Sequence, residues 1–347
     1  MIRILLLLLL PVIAQAETVR IATYNTELSR DGPGLLLRDI RRGDAQVQAV
    51  VDVLVAAHPD ILALQGIDWD MDGLAVTALV RRLQAAGLDY PYHFSAQPNA
   101  GLETSLDLNG DGRVYGPADA QGWGRFTGQG GLVVLSRYPI HAADVQDFTG
   151  LLWRDLPDAH LPATEDGPFP SEDAQRIQRL SALAHWIVPV DTPIGVLSLM
   201  TFHAAPPVFD GPEDRNGLRN RDEIRLWSLV LDGKLGRRPT APFVIAGDAN
   251  LDPERGEGRR EAIQTLLADP RLQDPMPADS TGALTTVDWK AVGEMRVDYV
   301  LPSVGLQVTG AGIIWPEEGT SLHEAASQAS RHRLVWVDVA VPDRPLN

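Results

Sequence analysis

The chain has 347 residues, 44% hydrophobic and 22% charged, which suits a globular protein with a large core and excludes a disordered or low-complexity chain. A net charge of −16 argues against a dedicated, sequence-independent binder of duplex DNA but leaves phosphate-ester substrates open. With no cysteine, disulfides, thiolate zinc sites, Fe–S clusters and cysteine nucleophiles are all excluded.

Arg3, the leucine run Leu5 to Leu10 and Ala14-Gln15-Ala16 read in order as a secretory signal peptide over residues 1–16, too short to anchor in a bilayer. Residues 17–347 are therefore expected to form one periplasmic or secreted domain, with no stable membrane insertion and no evident protein partner. Val19 to Tyr24 predicts a strand, the spacing of Val47, Val50, Val51 and Leu54 a helix, and Ile61 to Leu64 a second strand, a β-α-β opening. Further strands are expected at Leu132 to Ser136, Ala182 to Val188, Val196 to Phe202, Phe243 to Gly247, Val297 to Leu301 and Leu334 to Val339. Helices fit Leu74 to Leu83, Arg221 to Leu231 and Arg260 to Leu267. The Pro/Gly/Asp-rich stretches Asn99 to Gly128 and Asp155 to Asp173 are too long for ordinary connections and read as functional or ion-stabilised loops.

Within the first of these, Asp107-Leu108-Asn109-Gly110-Asp111-Gly112-Arg113 places oxygen side chains at alternating positions and Gly at the sixth, the first half of an EF-hand-type calcium loop. The twelfth position is Ala118 and not Glu, so Asp119 joins Asp107, Asn109, Asp111 and Arg113 as a candidate Ca²⁺ ligand. The competing expectation is a turn held by local hydrogen bonds. Trp123 and Phe126 are candidates for a substrate rim or for packing inside the loop. Arg215 and Arg219 are within reach of a phosphate, while Arg221 and Arg225, four apart on a helix, read as a solvated face.

Polar residues cluster where strands end: Asn25 after the first, His203 after Thr201-Phe202, Asp248 and Asn250 in Gly247-Asp248-Ala249-Asn250, then Asp298, and Ser330-Arg331-His332 before the last strand. Two side chains two residues apart at a strand exit point the same way, so Asp248 and Asn250 together suit a water and a phosphate oxygen. This ordered set resembles the endonuclease/exonuclease/phosphatase family over nearly the whole mature chain. The resemblance implies a four-layer α-β-β-α sandwich of two mixed sheets, deoxyribonuclease I-like, and phosphoester hydrolysis by an activated water, usually with Mg²⁺ or Mn²⁺. It implies Asp248 as the carboxylate that orients or deprotonates the water, Asn250 beside it on the phosphate, and His332 on the scissile phosphate with its ring fixed by Asp298. His203 resembles the second phosphate-side histidine or general acid, and Asn25 the amide ligand near metal and substrate.

Two positions depart from the pattern. Leu64-Gln65-Gly66 stands where the family reads Leu-Gln-Glu, and Ser330-Arg331-His332 where it reads Ser-Asp-His, so two metal-binding carboxylates are replaced by a glycine and a permanent cation. Three outcomes are open. Glu27, Asp68 or Asp70 supplies replacement metal ligands, or Arg331 takes over as a guanidinium clamp on the phosphate. In the third, the site is degenerate and the chain is a non-catalytic phosphate-ligand or Ca²⁺-stabilised binding protein. The expected partner is a phosphate ester, with nucleic acid, nucleotide, phospho-sugar and lipid headgroup all open.

Overall fold

A computed structural model describes residues 17–240 and 242–342; residues 1–16, expected from the sequence to be a signal peptide, lie outside the described residues. The first sheet runs in the order β14-β15-β1-β2-β4-β3, where β1 is Thr18–Asn25, β2 Ile61–Ile67, β3 Tyr92–Phe94, β4 Gly131–Ser136, β14 Gln307–Ile314 and β15 Leu334–Ala340. The second runs β13-β10-β9-β8-β5, where β5 is Gln146–Asp147, β8 His185–Thr192, β9 Gly195–His203, β10 Phe243–Asp248 and β13 Asp298–Pro302. Two small hairpins complete the strands, β6 Ala163–Thr164 with β7 Gly167–Pro168, and β11 Val287–Trp289 with β12 Gly293–Met295.

The strand alternation builds four layers. Odd positions of β1 and β15, with Ile61 and Ala63 of β2, meet Leu197 and Leu199 of β9 and Val244 and Ala246 of β10 in a dry core between the sheets. In it Phe94 meets Trp186 edge to face at 5.0 Å, a contact adding about 0.5–1.5 kcal/mol beyond burial alone. The even positions Ala22 and Tyr24 face an outer layer of α1 (Leu35–Arg42), α2 (Ala45–Ala57), α3 (Leu74–Ala85) and α7 (Ser321–Ala329). Phe243, Ile245, Met200 and Phe202 face the other outer layer, α5 (Arg215–Leu231) and α6 (Glu261–Leu267), while α4 (Glu172–Ile177) lies in the second long loop. The α-β-β-α sandwich expected from the sequence is the fold.

Differences from the expected elements have physical reasons. Helix α5 begins at Arg215, six residues early, because Gly217 in its first turn weakens the helical signal. Arg221 and Arg225 are not a solvated face, since Arg221 pairs with buried Asp222 and Arg225 donates to the carbonyls of Pro157 and Asp158, and buried Arg219 donates to those of Leu180, Gln121, Arg179 and Ser181. These bonds pin long loop segments that lack ladders of their own. The eight-residue edge strand β14 was not foreseen because Gly310 and Gly312 interrupt its pattern; both lie under the Trp336 ring, where a Cβ at 312 would come within 2.9 Å.

Candidate active site

Strand direction assembles the cluster. Strands β1 and β2 are parallel with Asn25 opposite Gln65, and β9 and β10 are parallel with His203 opposite Asp248, so these side chains leave at carboxyl ends. Strand β13 is antiparallel to β10 and begins at Asp298, opposite Asp248; β15 is antiparallel to β1, so His332 enters beside the end of β1. Asn25, His203, Asp248 and Asp298 each continue the alternation of the inter-sheet face, so the apolar core between the sheets ends in polar groups at one rim.

At that rim Asp248 is fully buried; its Oδ2 accepts from Asn25 Nδ2 at 2.9 Å and lies 3.3 Å from His203 Nε2. Its Oδ1 accepts the Asn250 backbone N–H at 2.8 Å, while Asn250 Nδ2 donates to Ala204 O and stands in the left-handed region at φ 50°. His332 Nδ1 lies 2.9 Å from Asp298 Oδ2 and 3.8 Å from Asp248 Oδ2, and its Nε2 lies 3.5 Å from Asn25 Nδ2. Asp298 Oδ1 and His203 Nδ1 are buried with no hydrogen-bond partner.

These contacts set the charges. Burial opposes a charged imidazole, but Asp298 and Asp248 outweigh it and raise His332 to about 9, so the ring is a cation at neutral pH. Burial and neighbouring Asp298 raise the Asp248 pKa, giving a carboxylate with increased proton affinity beside a fixed positive charge. Burial lowers the pKa of His203, which favours the neutral ring and suits a hydrogen bond to Asp248 Oδ2, 3.3 Å away.

Other sequence candidates are committed elsewhere. Buried Asp68 accepts the N–H groups of Arg30 and Gly130, both at 2.9 Å, and Asp70 accepts those of Leu74 and Ala75, both at 2.8 Å, capping α3. Each of their oxygens thus takes a backbone N–H, and neither carboxylate joins the group formed by Asp248, Asp298 and His332. Arg331 lies at the mouth, paired through Nε and Nη2 with Glu27. In the loop expected to bind calcium, Asp107 accepts the N–H groups of Asn109, Gly110 and Gly112, and Asn109 and Asp111 close turns onto Asp111 and Arg113. Asp119 reaches back to the N–H of Leu108. Arg215 donates to the Leu108 carbonyl. Between β3 and β4 the loop carries a 3₁₀ turn at Pro117–Asp119 and is not flanked by a helix pair.

The sequence reading missed two positioning groups on α5. Asn220 Nδ2 donates to Ala205 O and Ala249 O, both at 2.7 Å, and Glu223 accepts the N–H groups of Ala182 and Ala205, so both brace the exits of the strands that carry His203 and Asp248. The available signal was polar residues three apart on the side of the helix that also carries Ile224 and Trp227.

A model of the Endonuclease/Exonuclease/phosphatase family matches residues 22–332, from the first strand to the rim histidine. The chain belongs to that family. A family protein from Beutenbergia cavernae DSM 12333 is 20% identical with a TM-score of 0.56, covering 95% of this chain and 73% of its own. One from Leptotrichia buccalis is 14% identical (TM-score 0.52; 93% and 99% covered), and sphingomyelinase C from Streptomyces griseocarneus 16% identical (TM-score 0.51; 93% and 99%). At these identities the likeness is one of fold. No curated protein matches the chain.

Members of the endonuclease/exonuclease/phosphatase family are generally phosphoester hydrolases that use a divalent cation, and ligand atoms of Asp248, Asp298 and His332 lie within 4.8 Å of one another, close enough to surround an ion. The donor chemistry of this chain does not suit such an ion as it stands. The His332 imidazolium already supplies the positive charge between the two carboxylates, and a metal on this nitrogen must displace its proton. At the second position, Gly66 offers no ligand and Glu27 is held by Arg331.

Gly66 is also not a simple side-chain deletion. It sits at a bulge between β2 and β4 with φ 73°, where a Cβ would come within 2.8 Å of Asn25 Oδ1 and 2.9 Å of Glu27 N. A glutamate cannot be restored there without moving the loop after β1.

Proposed function

We propose that the chain is an exported phosphoesterase that cleaves a phosphodiester or phosphomonoester with water. The observation that carries this reading is one buried rim bearing a carboxylate of raised proton affinity and, 3.8 Å away, an imidazolium fixed by a second carboxylate. In the proposed reaction Asp248 orients the attacking water and takes up its proton, while His332 donates a hydrogen bond to the phosphate oxygen on which negative charge develops. Asp298 holds the His332 ring and keeps it charged. Asn25 and Asn250 fix Asp248 and line the path of the phosphate, and His203 completes the hydrogen bonding of Asp248. Water attack breaks the P–O bond, and the leaving oxygen departs with a proton from solvent or from His332.

The test is hydrolysis of bis-p-nitrophenyl phosphate and p-nitrophenyl phosphate by the mature chain. Turnover of either is the expected result, and their ratio separates diester from monoester preference. A rate at the uncatalysed background for both, from protein that still binds inorganic phosphate, would favour the non-catalytic binding protein.

A separate expectation concerns the 107–119 loop. Asp107, Asn109 and Asp111 accept backbone N–H groups of one turn and buried Asp119 accepts that of Leu108, and extracellular modules use weak calcium sites of this ligand class. Calcium should raise Tm by mass action without changing kcat. Asp107→Ala with Asp111→Ala should abolish the response; an unchanged response in that variant would remove the loop from consideration.

A further inference from the structure

Glu27 follows β1 in the left-handed region at φ 48°, and its backbone N–H donates to Asn25 Oδ1 at 3.2 Å. Its carboxylate is fully engaged. Oε1 takes Nε and Nη2 of Arg331, the first at 2.8 Å, and Oε2 takes the Arg331 backbone N–H at 2.8 Å, with Ser330 Oγ 3.2 Å away. Burial of Glu27 alone would favour its protonated form; the Arg331 hydrogen bonds more than offset this and keep it ionised. The guanidinium is thus anchored along one edge. Its side chain remains 62% exposed, leaving Nη1 and the outer hydrogen of Nη2 open to solvent.

The same pair fixes the backbone entering His332. Ser330 Oγ donates to Asn25 O at 2.7 Å and accepts the His332 N–H at 3.1 Å, so Glu27, Ser330 and Arg331 join the end of β1 to the start of β15. The rim therefore has two internal cations, an imidazolium between two buried carboxylates and a guanidinium on the third acid. The carboxylate missing at Gly66 is occupied sterically by the Asn25 amide and the Glu27 backbone.

We propose that Arg331 is the built-in cation of this site: anchored by Glu27, it binds a phosphate oxygen of the substrate through its free N–H edge and keeps Glu27 from binding a divalent cation. This rests on the phosphoesterase reading for its substrate but not for its test, which reads binding and not turnover. A guanidinium suits the task because its planar fork satisfies a carboxylate on one edge while presenting donors on another, which a lysine ammonium does not do. The arrangement gives up Lewis-acid strength in exchange for a permanent charge that neither chelation nor pH below 12 removes.

The experiment uses the mature chain with EDTA present and inorganic phosphate as the probe in titration calorimetry. Wild type should bind phosphate without metal, Arg331→Ala should bind at least tenfold more weakly, and Arg331→Lys should recover part of the loss. A parallel Mn²⁺ titration followed by electron paramagnetic resonance should show no tight site in wild type, a new site in Arg331→Ala, and its loss in Glu27→Gln with Arg331→Ala. Phosphate binding is read in wild type and Arg331→Ala whether or not wild type turns over, which separates failure here from failure of the enzymatic reading. Circular dichroism checks folding, and should Arg331→Ala unfold, Arg331→Gln replaces it, with the same outcomes expected. Chelated phosphate binding unchanged on loss of the guanidinium, or a micromolar Mn²⁺ site in wild type that phosphate binding requires, would overturn the proposal.

Discussion

Asp248→Asn is expected to lower kcat for phosphoester hydrolysis by roughly a hundredfold or more. The substitution keeps shape but removes the group able to take a proton from water. It also places an amide where Oδ1 accepts from Asn250 N and Oδ2 from Asn25 Nδ2, so one of these donors loses its acceptor. That second effect falls on stability. A thermal melt beside the rate separates the two: a lower Tm with an unchanged kcat would make Asp248 a structural carboxylate and sink the assignment. The variant removes none of the direct bonds of the Glu27–Arg331 pair, which involve neither Asp248 nor Asn250.

The sandwich was legible because period-two runs with dry inner faces are hard to place otherwise, and because each rim residue ends such a run. Asn25, His203, Asp248 and Asp298 could be read as one cluster from strand order alone, since parallel neighbours bring carboxyl ends together and antiparallel partners bring their starting residues to the same edge. What could not be read was which acids spend their oxygens on backbone. Asp68 and Asp70 stand as close to Gly66 in sequence as a replacement ligand would, yet two N–H groups claim each of them, and nothing in the residue type forecasts that. The Glu27–Arg331 pair spans 304 residues and depends on a left-handed turn at Glu27 and a bulge at Gly66. Long-range pairing of two loop residues leaves no periodic trace. The braces from α5 were hidden for the opposite reason: Asn220 and Glu223 are polar on a helix, which reads as a wet face, but both are buried against Ala182, Ala205 and Ala249.

The second large effect is in pH and follows from His332. Its pKa rises from 6.5 to about 9 on folding, so the native state holds its proton more tightly than the unfolded chain. The resulting stabilisation is present in full below pH 6.5 and is lost as pH rises through 9. If the imidazolium carries developing phosphate charge, the rate falls along the same limb, while the acid limb follows Asp248, whose raised pKa moves it above the ordinary carboxylate range. Asp298→Asn removes the nearer of the two carboxylates and leaves the ring buried, so burial then pulls its pKa back down. The alkaline limb of kcat/KM should move to lower pH by at least one unit, and the stability loss between pH 6.5 and 9 should shrink in parallel. An NMR titration of the His332 ring reads the same shift without turnover. A merely structural Asp298 would lower Tm and leave both the ring titration and the alkaline limb where they were. Arg331→Ala, by contrast, should leave the alkaline limb in place, because Asp298 and Asp248 lead among the charges that raise His332 and neither belongs to the Glu27 pair.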